Sequence, residues 1–423
     1  MLNILWFSLS PCGSMRRNGS KRVIQGWMIS LEDELKKQPN VKLSVAYFSE
    51  DREAPFVYDR VVYYPMYIPT RKNKIGHVLD RWRSPEKLDT LLLPKMLDVV
   101  AKASPDVVHI HGTEERFGLI QDYLKDVPIL FSIQGLIAPY AEKFFSGISY
   151  FDARKFESLS DKLRKVSIKD AYDSFCFRAK RERHFLQYAR YVAGRTFWDE
   201  NVTLALNPKR TFYHVDEILR EPFYKKIWTK SHFSNKIRIV STISDGIYKG
   251  FETVLKTTAL LKKYADFDFE WSIVGYDKSA KWVKIASKIT GLDPNEQNIR
   301  FEGRLDDEEL SGLLISSDIY CHVSHIENSP NSVCEAMLVG MPVIASYAGG
   351  TGSLLKDEHE GKLVQDGDPY VLAGAITDFF HDFNKARMFG HNARLRALIR
   401  HNPQRIVHEL LSTYESIIKR STN

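Results

Sequence analysis

Residues 318–350 read DIYCHVSHIENSPNSVCEAMLVGMPVIASYAGG. The apolar run over 319–323 has the length and β-branched content of a buried strand, and a loop carrying Glu327 follows it. Ser329, Pro330, Asn331 and Ser332 then supply N-cap and first-turn chemistry for a helix to about Val339, with Gly340 as its stop. A second short apolar run over 342–345 completes a strand–helix–strand unit, the signature of a parallel sheet. Open sheets of that kind bind ligands beyond the carboxyl ends of their strands, which is where the Glu327 loop and the helix start fall. The exposed N–H groups and positive dipole end of such a helix suit a sugar hydroxyl or a diphosphate. Glu335 sits one turn inside the helix, on the face shared with Asn331. A carboxylate accepts two hydrogen bonds from a vicinal diol, so Glu327 and Glu335 suit a sugar on one side and a nucleoside ribose on the other.

Working outward, the same alternation recurs along the chain. Strands are expected over 3–7, 43–48, 107–110, 129–133 and 191–193, and again over 237–241, 271–274, 299–301, 319–323 and 342–345, with helix-length amphipathic stretches between them. Two consecutive series imply two doubly wound α/β domains facing a central cleft, and 423 residues with 43% hydrophobic content agree with that count. The boundary is expected within 217–234, near Lys230, giving domains 1–230 and 231–401 and a final segment 402–423. Over 140–190 the pattern becomes one long helical stretch in which Lys143, Arg154, Lys155, Lys162, Arg164 and Lys165 alternate with Phe144, Phe145, Tyr150 and Phe151. It reads either as a solvated face or as a basic, aromatic surface for an anionic acceptor or a lipid headgroup layer.

Composition narrows the function classes. Cys12, Cys176, Cys321 and Cys334 lie far apart with no C-x-x-C pair, which argues against a disulfide framework and a structural zinc site and makes a reducing compartment the default. The opening run over 2–9 is apolar but short and without a basic n-region, so it reads as a buried first strand and not a signal peptide. No window approaches the roughly 18–20 apolar residues of a spanning helix, so any membrane contact is expected to be peripheral, at the inner face of the cell membrane of a cytoplasmic protein. The net charge of +7 is unevenly spread: residues 1–230 hold 38 Lys and Arg against 28 Asp and Glu, and residues 231–423 hold 22 against 25. A basic first half facing an anionic partner and a near-neutral second half follow.

Glu327 and Glu335, with seven residues between them and Ala336, Met337, Gly340, Pro342 and Val343 after them, resemble the E-x7-E signature of family 4 of the glycosyltransferases, retaining sugar-nucleotide enzymes of GT-B fold. Lys249-Gly250 resembles that family's K-G element, Ile273-Val274-Gly275 its strand-to-glycine loop, Phe301-Glu302-Gly303 the strand before the donor-base loop, and residues 105–112 its P-D-v-i-H-x-H strand. The tail 402–419 resembles the helix that crosses back onto the first domain. The resemblance implies a retaining, metal-independent transfer from a nucleoside diphosphate sugar, without cofactor, to a glycan or lipid-linked acceptor, as in surface-polysaccharide assembly. Glu327 would be the carboxylate beside the transferred sugar, Lys249 would neutralise the diphosphate, and Gln134, where relatives often carry a histidine, would bond a donor sugar hydroxyl. Glu335 would take the donor ribose, with Asn328, Ser329, Asn331, Ser332 and Gly275 completing the donor site and Gly13 contributing from the basic loop 10–21. Relatives usually have an arginine about six positions before the lysine where this chain has Ile243, and Arg195 is the candidate replacement. His111 is expected at the acceptor side and His109 in the core.

Rival readings are another GT-B activity, such as a UDP-sugar epimerase or a glycan phosphorylase, and, from a different class, non-specific nucleic-acid binding by the basic half. The second leaves residues 327–350 unexplained, so no nucleic-acid partner is expected. His322, His325, Glu327 and Cys321 raise a metal cluster, but neighbours along a strand point to opposite faces and no metal is expected.

Overall fold

The structure, a computed structural model, describes residues 1–18, 26–71, 73–82, 84–233 and 235–422, the side chains of 74, 75 and 422 excepted. Residues 19–21 of the expected basic loop 10–21 lie outside these. The chain divides into two compact units: residues 1–141, 157–218 and 402–423 form the first, and residues 142–156 with 219–401 form the second.

The first unit is built on eight strands: β1 (Leu2–Phe7), β2 (Val41–Ser49), β3 (Phe56–Tyr58), β4 (Val61–Tyr67), β5 (Val107–His111), β6 (Ile129–Ser132), β7 (Tyr191–Gly194) and β8 (Thr211–His214). Their order is β3-β4-β2-β1-β5-β6-β7-β8, and every pairing is parallel except β3 with β4. Central parallel strands are covered on both faces, which is why β1 reads as a nearly continuous apolar run and β5 is buried along its whole length. Alternation along β1 sends Ile4 and Trp6 into one core and Leu5 and Phe7 into another. The helix Pro403–Thr422 closes the first of these cores with Ile406, Leu410, Tyr414 and Ile417, spaced along one helical stripe.

The second unit holds six parallel strands: β9 (Lys236–Thr242), β10 (Asp268–Val274), β11 (Ile299–Gly303), β12 (Ile319–His322), β13 (Val343–Tyr347) and β14 (Lys362–Gln365), in the order β11-β10-β9-β12-β13-β14. The helix Asn331–Val339 connects β12 to β13 and buries Val333, Met337 and Val339 with Val240, Tyr320 and Val343 of the sheet. That helix is buried on nearly every side, from Val333 to Val339.

Two expectations about organisation change. The single long helical stretch over 140–190 is four helices, Ile137–Glu142, Tyr150–Arg154, Leu159–Leu163 and Ile168–Tyr188. Ser149, Ser158 and Ser167 cap the last three, each accepting from a backbone N–H three residues on. Local serine caps thus divide what charge periodicity alone presents as continuous. The units divide at Ile218/Leu219, inside the expected 217–234 but ahead of the position near Lys230, because Leu219, Phe223 and Trp228 pack into the core of the second unit.

Candidate active site

In the second unit, three successive strand ends place the chemistry. Beyond β9 a short turn, Ile247–Lys249, presents Lys249, and Gly250 opens the helix Phe251–Tyr264. Beyond β12 runs the loop with Glu327, and beyond β13 lies Gly349. Gly250 has φ +77°, and a Cβ on it would lie 2.0 Å from the Val323 carbonyl oxygen, so the Lys249 turn rests directly on the β12 loop. Gly349, at φ +54°, approaches the Glu327 carbonyl oxygen equally closely, and the Gly350 N–H donates to that same oxygen at 2.9 Å. Only glycine combines that φ with that approach. The Glu327 backbone is therefore held from β13 as well as from its own strand.

The Lys249 ammonium donates to Glu327 Oε1 at 2.5 Å, with only 13% and 14% of the two side chains exposed. Ser324 Oγ donates to the same oxygen at 2.9 Å, and His322 Nε2 lies 3.6 Å from it. Burial resists ionisation of Glu327, but Lys249 and then His322 outweigh it and bring the carboxyl down to about 2. Burial likewise opposes the Lys249 charge, and Glu327 more than restores it, so the ammonium is held above its usual range.

The helix Asn331–Val339 begins without the side-chain cap expected from Ser329 to Ser332. Its N-cap is Pro330, which makes no capping hydrogen bond. Helices elsewhere in the chain carry full capping boxes, Thr196 with Asp199 and Asp306 with Glu309 among them. Asn331 Oδ1 at this bare helix end is buried with no hydrogen-bond partner. Asn328 and Ser329 are buried beside it, and Ser332 follows in the first turn. Orphan N–H groups, a buried unpaired acceptor and a cation on a neighbouring turn make an anion- and hydroxyl-binding corner.

Glu335 is 4% exposed and is held by a residue outside the sequence-based set. Arg220 donates through Nε to Glu335 Oε1 at 2.8 Å and through Nη2 to Oε2 at 2.9 Å. The Gly275 N–H, beyond β10, donates to the Gly303 carbonyl at 2.6 Å, tying two strand ends together. Both His325 ring nitrogens meet carboxylates: Nε2 meets Glu252 Oε1 at 2.7 Å and Nδ1 meets Asp366 Oδ2 at 3.3 Å.

In the first unit, His111 ends β5 with 1% exposure, its ring tilted against His109 at 3.8 Å and edge-on to Trp6 at 4.6 Å. Neither His111 ring nitrogen has a hydrogen-bond partner, whereas His109 meets Tyr414 and Ser132. Burial pushes both histidines down, His109 to about 3, so both are neutral at pH 7. The Arg195 guanidinium lies 4.1 Å over the Trp27 ring with Nε 3.5 Å from the buried Glu217 carboxylate. It is thus already paired within its own unit. Gln134 is half-buried, its Nε2 3.9 Å from Met28 Sδ. The Gly13 N–H donates to Glu32 Oε2 at 3.0 Å, and a Cβ there would strike that carboxylate, so this glycine serves a buried Glu32–Tyr63 cluster.

Over its whole length the chain superimposes on sucrose-phosphate synthase from Thermosynechococcus elongatus, with TM-score 0.70, 17% identity and coverage of 99% of this chain and 100% of that one. The fold is GT-B. A second GT-B structure, Anabaena HepE in complex with UDP and glucose, aligns with TM-score 0.64 and 17% identity over 98% of this chain and 100% of that chain. Residues 224–396 match the family model described as glycosyl transferases group 1, a span that contains Lys249, Glu327 and Glu335. In sequence, the chain is 27% identical over 195 residues to an uncharacterized glycosyltransferase of Methanocaldococcus jannaschii, covering 46% of this chain and 48% of that protein. It is 24% identical over 240 residues to the amylovoran biosynthesis glycosyltransferase of Erwinia amylovora, covering 52% and 58%. The chain thus spans about half the length of the curated relatives it matches. Among the described residues of this GT-B chain, no helix is long and apolar enough to cross a membrane.

Proposed function

We propose that the protein is a retaining glycosyltransferase that takes its sugar from a nucleoside diphosphate sugar. The observation that carries this reading is the Lys249–Glu327 ion pair set beside the uncapped start of the helix Asn331–Val339. Departure of a nucleoside diphosphate develops negative charge, and a desolvated ammonium plus preorganised helix N–H groups stabilise it by several kcal/mol. These groups let transfer proceed without a metal or cofactor. In this reading Glu327 faces the transferred sugar, Glu335 takes the ribose hydroxyls, and the leaving phosphate accepts the acceptor's proton on the front face. The relative named for amylovoran biosynthesis supports a role in surface-polysaccharide assembly.

The acceptor is a glycan or lipid-linked glycan met by the first unit. Its helix Leu159–Leu163 exposes Leu159 and Leu163 beside Lys162, and Lys165 lies 4.6 Å over the exposed Trp82 ring. Such a surface suits peripheral contact with anionic headgroups, and liposome association should then fall steeply with salt. The test of the activity is a binding panel of UDP-, GDP-, ADP- and dTDP-linked sugars by calorimetry. One donor is expected to bind wild type and to lose affinity in Lys249→Ala; binding of none refutes the reading.

A further inference from the structure

The carboxylate assigned to the ribose is not free to act alone. Glu335 is 4% exposed inside a helix whose other residues from Val333 to Val339 are all apolar and buried. A carboxyl so placed loses most of its hydration and takes up a proton unless a cation compensates it. Arg220 provides that cation. Besides the two hydrogen bonds already described, its Nη2 lies 2.8 Å from Oε1, so Oε1 is approached by two guanidinium nitrogens and Oε2 by one. The guanidinium plane is itself steadied 4.8 Å above the Phe223 ring. A carboxylate offers about two acceptor positions on each oxygen, so the uncommitted capacity lies on Oε2.

We propose that Arg220 is a positioning residue of the nucleotide site, supplying the counter-charge and the orientation that leave Glu335 Oε2 directed to the ribose hydroxyls of the donor. The proposal rests on the donor-site reading above and deepens it. Arg220 need not touch the nucleotide: its effect passes through the ionisation and aim of Glu335. The groups that face Glu335 are Arg220, which favours its charge, Asp307, which opposes it, and the Tyr320 side chain. Burial still leaves the Glu335 carboxyl above its usual range even with Arg220 in place, and losing the guanidinium would raise it further.

The test is the preference for a ribose over its 2′,3′-dideoxy counterpart, measured with UDP, GDP and ADP and their dideoxy forms between pH 6 and 9. Wild type is expected to prefer one ribonucleotide by roughly tenfold or more, the scale of hydrogen bonds to a charged acceptor, with little dependence on pH. Arg220→Met should lose that preference at pH 6–7 and regain it as pH rises and Glu335 ionises. Arg220→Lys, which keeps charge but not the planar fork, should retain a weaker preference with a flat profile and serves if the methionine variant does not fold. Glu335→Gln should show little preference at any pH. An Arg220→Met variant with the wild-type preference and profile, or one that binds ribonucleotides more tightly, overturns the proposal. Wild type that binds nucleotides without distinguishing ribose from dideoxyribose overturns it while leaving the diphosphate site standing. Wild type that binds none of the three overturns the donor-site reading and this proposal together.

Discussion

Lys249 Nζ and Glu327 Oε1 are 2.5 Å apart, so the residue assigned to the diphosphate and the residue assigned to the sugar are each other's partner. Neither charge is strained in this state, because each compensates the other's burial. A donor that inserts its phosphates between them would meet an ammonium already ionised and a carboxylate already fixed by the Ser324 hydroxyl. Preorganisation of this kind is what lets fixed charges stabilise a developing one without rearrangement.

Removing one member of the pair should therefore cost stability as well as activity. Lys249→Ala leaves a buried carboxylate uncompensated and is expected to destabilise by about 3–5 kcal/mol, with the double variant Lys249→Met, Glu327→Gln recovering a large part of it. Urea denaturation of the three proteins at pH 7 measures both. Because the folded Glu327 titrates near 2, below its unfolded value of about 4.3, its contribution is present above about pH 4.3 and is lost as pH falls toward 2.

His325 has the opposite sign. Burial lowers its affinity for a proton, but Glu252 and Asp366 raise it further, so the folded value lies above the unfolded one. Its ion pairs should contribute fully below about pH 6.5, the unfolded value, and fade as pH rises through the folded one. The difference in Tm between wild type and His325→Gln should be greatest near pH 6 and shrink toward pH 9. A difference that grows with pH would contradict this assignment.

Gly349→Ala tests how the Glu327 loop is held. At φ +54° any Cβ is strained, and here it would collide with the Glu327 carbonyl oxygen. A loss of about 1–3 kcal/mol is expected, accompanied by weaker nucleotide-sugar binding because the loop must shift. Unchanged affinity in a folded variant would show that the position of Glu327 does not depend on the β13 end.

Tyr414→Phe tests the tie between the last helix and the first sheet. The hydroxyl accepts from Trp6 Nε1 at 3.1 Å and meets His109 Nδ1 at 2.6 Å, all buried. Its removal leaves two polar groups unsatisfied and should cost about 1–3 kcal/mol by chemical denaturation.

Much of this was legible in local sequence. The strands Ile319–His322 and Val343–Tyr347 open with the apolar runs 319–321 and 343–345 because both faces of a parallel sheet are covered, and that pattern survives without any tertiary knowledge. The E-x7-E spacing and the K-G pair lie within short stretches whose loop-to-helix geometry follows from local chemistry. The long helical reading of 140–190 failed for a related reason: charge periodicity is indifferent to the serine caps that end one helix and start the next.

By itself the sequence determined the two α/β series, the loop that carries Glu327 and the helix that carries Glu335, since each depends on neighbours within a few residues. Only the tertiary structure decided which charges meet. Lys249 reaches Glu327 across 78 residues, Arg220 reaches Glu335 across 115, and Tyr414 joins His109 across 305. Long-range pairing of this kind is set by strand order and burial, and no periodicity along the chain encodes it.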